Sequence, residues 1–205
     1  MKKFLLLSML LSALNTSSQV LPDSSSKSWE IDASVNMYFI PNDFLVMPVV
    51  SYDKGRLHLE ARYNYEDLKT ASLWAGYNFE LGKKLKLEAT PMLGLAFGQT
   101  DGIAPGIEFT LSYSKFYLYH ETEYLFNFED RYSNYYYQWS ELGYSPTDWL
   151  NVGLTAQKTR VFQSSREVQK GLFAGGMYNA LYVTGYYFNP FDEDRLFVLT
   201  LGLNF

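Results

Sequence analysis

The 205-residue chain has no cysteine and only two histidines, His58 and His120. Without cysteine there is no disulfide stapling and no thiolate to act as nucleophile or soft metal ligand. With so few imidazoles and no glycine-rich phosphate loop, zinc, haem and nucleotide sites lack their usual ligands. No cofactor and no metal is therefore expected. Long hydrophobic runs are also missing. After Leu14 no apolar stretch approaches the ~18 residues of a membrane-spanning helix. Basic residues are scarce: setting aside Lys2 and Lys3 leaves fifteen Lys and Arg against twenty-two Asp and Glu, a net charge of −7. Such a balance disfavours nucleic acid as a partner.

What is present points to export. Met1-Lys2-Lys3 precedes a mainly apolar run from Phe4 to Leu14, too short to span a bilayer, and small or polar residues follow. Residues 1–18 read as a signal peptide with cleavage before Gln19, an uncleaved anchor being the alternative, and residues 19–27 as a flexible serine-rich linker. Aromatic residues make up 18% of the chain and charged residues only 19%. That pairing suits a protein with aromatic interfacial girdles and a polar interior.

Residues 28–205 alternate with period two, the spacing that sends successive strand side chains to opposite faces. Leu57, Leu59, Ala61, Tyr63 and Tyr65 share one face, and His58, Glu60, Arg62, Asn64 and Glu66 the other. Trp29, Ile31, Ala33, Val35, Met37 and Phe39 oppose Glu30, Asp32, Ser34, Asn36 and Tyr38 in the same way. Turn signals predict twelve strands, roughly 28–40, 43–53, 56–67, 69–81, 84–98, 102–113, 115–128, 133–145, 148–162, 167–178, 180–190 and 195–205. Every second connection is tight: Asp53-Lys54-Gly55, Gly82-Lys83, Ser114, Pro146-Thr147 and Asn179. The others are longer, as around Glu129 to Ser133, Gln163 to Glu167 and Phe191 to Asp194, except for a short one near Pro41-Asn42. With no helix long enough to span, a chain crossing a membrane in this pattern does so as a closed antiparallel up-and-down transmembrane β-barrel. A soluble barrel with its faces reversed is the competing architecture.

The last strand sends Phe197, Leu199, Leu201, Leu203 and the terminal Phe205 to one face. With these residues in view the chain resembles Gram-negative outer-membrane β-barrel proteins of porin-like type. Leu201, Leu203 and Phe205 are similar to the terminal assembly signal read by the barrel-insertion machinery, although Thr200 stands where that signal usually has glycine. The resemblance implies a place in the cell outer membrane, with membrane lipid and the insertion machinery as partners. Twelve-stranded members of this class include oligosaccharide and nucleoside channels and one phospholipase.

The predicted inward face collects Glu30, Asp32, His58, Glu60, Arg62, Glu66, Lys86, Glu88, Glu108, Glu121, Glu123 and Glu141, in which acids outnumber Arg and Lys nine to two. Crowded carboxylates must pair with Arg62 and Lys86, take up protons, or attract cations. Two functions follow. In one, the acidic row lines a narrow channel favouring small polar or cationic solutes. In the other, the same groups are a bonded plug in a filled barrel with a structural or surface-interaction role. Inward Gly94, Ala96, Gly98, Ala104, Gly106, Gly153 and Gly175 leave room beside the wall, and Tyr117, Tyr119, Tyr135, Tyr137 and Trp139 are candidates to narrow it.

An enzyme is the third class. The phospholipase of this architecture carries a His-x-Ser pair on a lipid-facing strand with an orienting asparagine, which His120, Thr122 and Asn134 superficially echo. A turn centred near Arg131 sets His120 opposite Glu141 or Leu142 and leaves Asn134 roughly 20 Å away. No catalytic site is expected. The acidic run Asp192-Glu193-Asp194, which could hold Ca²⁺ loosely, reads more simply as a solvated loop.

Overall fold

The computed structural model describes residues 29–41, 43–158 and 168–205. The expected signal peptide, the linker and the connection Gln163 to Glu167 lie outside the described residues, as does Asn42. Period-two alternation builds thirteen strands: β1 (Trp29–Ile40), β2 (Asp43–Lys54), β3 (Leu57–Tyr63), β4 (Thr70–Tyr77), β5 (Phe79–Leu81), β6 (Leu85–Gly98), β7 (Gly102–Tyr113), β8 (Phe116–Asn127), β9 (Tyr135–Thr147), β10 (Leu150–Lys158), β11 (Gln169–Tyr178), β12 (Leu181–Phe188) and β13 (Leu196–Asn204). Strands β4 and β5 are two pieces of one stave, interrupted at Asn78 and both paired with β6. The barrel thus has twelve staves, joined antiparallel in a closed ring. Its seam is β1 against β13, where Phe205 and Ile31 exchange backbone hydrogen bonds of 2.9 and 3.1 Å. Closure leaves no sheet edge unpaired, which a hydrocarbon environment demands.

The turns at one end are short because their residues accept left-handed backbone. Gly82, at φ +89°, is a clear case: a Cβ there would run into the carbonyl of Leu85. Two of the expected tight turns shift. Asp53 belongs to β2 and is buried, so its tight turn is Gly55-Arg56. Pro146 and Thr147 belong to β9, whose turn falls at Asp148-Trp149, next to a register irregularity between Leu150 and Val152.

The outer wall is apolar. Leu73, Leu93, Leu95, Leu142, Leu154 and Leu172 are each at least half exposed, which no soluble barrel of this size tolerates in a continuous belt. Aromatic rings flank the belt at both ends, Trp29, Tyr113, Phe116 and Trp149 on the tight-turn side and Phe39, Phe97, Phe126 and Phe197 on the loop side. An apolar band bounded by two such girdles is the surface of a membrane-spanning barrel. Single cysteines check the facing in this cysteine-free chain. Replacing Leu57, Leu59 or Ala61 is expected to give thiols that a lipid-partitioning maleimide labels in vesicles, while His58→Cys, Glu60→Cys and Arg62→Cys stay unlabelled by it; uniform labelling would contradict the inside-outside assignment.

Candidate functional site

The interior is organised around Arg62. It stands on β3, where alternation points His58, Glu60 and Arg62 inward, and its side chain is only 1% exposed. The guanidinium donates from Nε to Glu60, from Nη1 to Glu121 at 2.9 Å and Glu123 at 3.1 Å, and from Nη2 to Glu108 at 3.4 Å. It also lies over the rings of Tyr65 and Trp74, 4.4 and 4.6 Å from their centroids. Four carboxylates drawn from β3, β7 and β8 thus converge on one cation. The planar fork of arginine can serve several acceptors at once, which a lysine could not. Formally the cluster has three negative charges in excess. His58 adjoins it, with Nε2 3.6 Å from Glu60, and holds Asp53 at 3.0 Å through Nδ1.

The other acidic residues form separate groups. Glu66 accepts from Ser72 and from the Trp74 indole, the latter at 3.1 Å. Lys86 pairs with Glu88 at 2.6 Å and with Glu80 at 3.4 Å near the tight-turn rim. Glu141 accepts from Trp139 and Tyr186, each at 2.9 Å. At the seam, Asp32 accepts from Tyr182 at 2.8 Å and Glu30 from Asn204 at 2.6 Å.

Several interior residues break the expected pattern. Tyr65, expected on the outward face, turns inward: β3 ends at Tyr63, Asn64 adopts φ +58°, and in the irregular segment that follows both Tyr65 and Glu66 reach the interior. Its hydroxyl reaches Glu121 and Tyr137, both at 2.8 Å. In the sequence Asp53 reads as part of a tight turn, and Asn78 as an ordinary position of the strand 69–81, yet Asn78 donates to Asp53 at 2.6 Å and accepts from Thr90 at 2.7 Å. The interruption between β4 and β5 lies at this buried amide.

The inward glycines do not leave open space: Gly94, Gly106 and Gly153 meet aromatic rings, Gly98 the backbone of Lys69 and Gly175 the side chain of Thr184. A Cβ on Gly94 would come within 2.5 Å of the Trp74 indole, one on Gly153 within 2.7 Å of Phe173, and one on Gly143 would collide with Tyr117. The loop half of the interior is the more tightly filled. Leu125, Gln157 and Phe188 are wholly buried there, with Leu196 and Val198 at 2% and 1%. The tight-turn half is looser, and Asp32, Ser112, Tyr117, Asn151 and Tyr182 remain half-buried. Among the described residues the loop half of the interior is therefore packed with buried side chains, while the tight-turn half carries half-buried polar ones, with Arg62 between them.

His120 faces outward opposite Ser140, one or two residues from the expected register. Its Nδ1 is 2.8 Å from Ser140 Oγ. Thr122 instead donates to the Tyr137 carbonyl at 3.0 Å, and Asn134 accepts from the Asn127 backbone at 2.8 Å, so neither serves His120. Asp192, Glu193 and Asp194 are exposed on their loop. Leu201, Leu203 and Phe205 all project outward beside the seam.

No protein-family model and no curated protein matches the chain. Solved structures do resemble it. A KdgM porin in complex with disordered oligogalacturonate has a TM-score of 0.60 at 11% identity, covering 86% of this chain and 99% of that one. A KdgM porin structure has a TM-score of 0.59 at 8% identity, over 85% and 99% of the two chains. At these identities the likeness is one of architecture: the chain folds as a closed, twelve-stave antiparallel barrel of the porin type.

Proposed function

We propose that the protein is a narrow outer-membrane channel for small polar or cationic solutes, with a vestibule among the half-buried polar residues on the tight-turn side and Arg62 with its carboxylates as the constriction. The observation that carries this reading is the convergence of Glu60, Glu108, Glu121 and Glu123 on one guanidinium across the bore of a porin-type barrel. Fixed charge in a low-dielectric bore sets ion preference, and an acidic excess attracts cations and repels anions. The ligand of the similar porin is a polyanion. An acidic constriction favours the opposite charge, so the shared fold does not extend to a shared solute. Around this core, residues 1–18 act as the export signal, 19–27 as a periplasmic linker, and Leu201, Leu203 and Phe205 as the assembly signal.

Glu30, Asp32, His58, Glu66, Lys86, Glu88 and Glu141 complete the lining in this proposal. They tune the field along the vestibule or brace the wall. A filled barrel with a structural or surface-interaction role is the second reading, and the near-complete burial of Arg62, Leu125 and Phe188 favours it. Planar-bilayer recording of the purified full chain separates the two. The channel reading expects stable unitary steps with cation preference, and Glu121→Gln reducing that preference by up to about fivefold, the factor that roughly 1 kcal/mol of unit-charge interaction at 4 Å in water is worth. Insertion without conductance would favour the filled barrel.

A further inference from the structure

We infer that the outward face of β8 and β9 is the contact surface for a second copy of this chain within the membrane. The observation is a polar island in an otherwise apolar belt. Between the aromatic girdles the described outward positions on the other staves are apolar or glycine. On β8 and β9 four polar side chains face out together: His120 and Thr122 beside Ser140 and Gln138. Lys158, also outward, stands directly beside Gln138, and Lys170 beside Ala156, so the two lysines border the island at the loop-side ends of their strands.

The island lies well inside the belt. Phe116 and Leu118 precede it on β8 and Tyr124 and Phe126 follow, and Leu142 and Leu154 border it toward the tight turns. Polar groups at such depth lie against hydrocarbon, where nothing satisfies them. Some bonds are made internally. Ser140 Oγ meets His120 Nδ1 at 2.8 Å and Gln138 Nε2 at 3.3 Å, and Tyr136 donates to Gln138 Oε1 at 3.3 Å. The Nε2 of His120 and the second amide proton of Gln138 have no partner among the described residues.

Depth and symmetry select the occupant. A lipid tail offers no hydrogen bond at this level, and lipid headgroups lie beyond the girdles. Copies inserted in the same sense carry the island at the same depth. A two-fold axis along the membrane normal then brings each island against its own image. The island is self-complementary, since Gln138 both donates and accepts and an imidazole can do either, as an isologous contact requires. Small Ser140 and Ala156 let the backbones approach, and Leu142, Leu154 and Leu118 supply an apolar rim.

The test uses the full chain reconstituted in vesicles, with folding of every variant checked by heat-modifiable gel mobility. Single cysteines at Ser140→Cys and at the rim position Leu142→Cys should form dimers with a short bis-maleimide, and Leu59→Cys on the far wall should not. Gln138→Leu should raise the dissociation constant, read by energy transfer between labelled copies, by about tenfold. Monomers at every protein-to-lipid ratio, cross-linking at Leu59→Cys as readily as at Ser140→Cys, or capture of a different protein at the island in native membranes would each overturn the inference. So would release of fatty acid from phospholipid vesicles that Ser140→Ala abolishes, because the island would then be a reaction site.

Discussion

Replacing Arg62 by methionine is expected to cost the barrel about 3–5 kcal/mol, because it leaves buried carboxylates without their cation. Methionine matches much of the side-chain volume, so the loss reports charge rather than a cavity. Glu60, Glu121 and Glu123 would face one another in a region that is less than a tenth exposed. The measurement is the denaturant midpoint of the folded protein in vesicles. Lysine should recover only part of the loss, since a single ammonium cannot span acceptors on β3, β7 and β8. Combining Arg62→Met with Glu60→Gln, Glu121→Gln and Glu123→Gln should recover most of it, as removing a buried charge set together is far milder than removing one member. Equal stability of wild type and Arg62→Met would show that the cluster does not hold the staves together. In the bilayer, Arg62→Met removes the cation from the acidic cluster and should sharpen cation preference, so the same protein tests wall and channel.

The second large effect is expected at the opposite surface. Leu93 lies mid-strand on β6, half exposed to the belt, beside Ala75 and Pro105 on the neighbouring staves. Leu93→Arg should destabilise the barrel by about 2–4 kcal/mol, the cost of a cation at the bilayer midplane. The same change at Leu85, near the tight-turn end of β6, should cost about 0–1 kcal/mol, because its guanidinium reaches the interface. A gradient with depth is the signature of lipid exposure. Equal costs at both positions would contradict the membrane-spanning assignment.

How much of this was legible beforehand differs between wall and interior. The facing of Leu57 to Tyr63 or of β1 and β13 follows from alternation alone, since a strand has only two faces and one-residue slippage would put charges in lipid. Tyr65 shows the limit of that rule. A single left-handed residue, Asn64, ends the strand and lets both Tyr65 and Glu66 face inward, and nothing in the neighbouring side chains forces asparagine into that conformation rather than an extended one. Asp53 shows a second limit, because Asp before a Lys-Gly pair reads as a turn residue whether or not a partner such as Asn78 waits on another stave. The glycines were a third: their positions were evident, but only the packed rings of Trp74, Phe173 and Tyr117 reveal that the space was already taken.

For this protein, therefore, the sequence by itself determined a cysteine-free, twelve-stave barrel with an apolar skin and an acid-rich interior. These are local matters of period, turn chemistry and composition. Only the tertiary structure decided which acids share Arg62, that the loop half of the bore is filled, and that four outward polar side chains gather on one face. Each depends on contacts between staves far apart in the chain. Register across the ring, and ring size around the bore, are properties of the closed barrel and of no single strand.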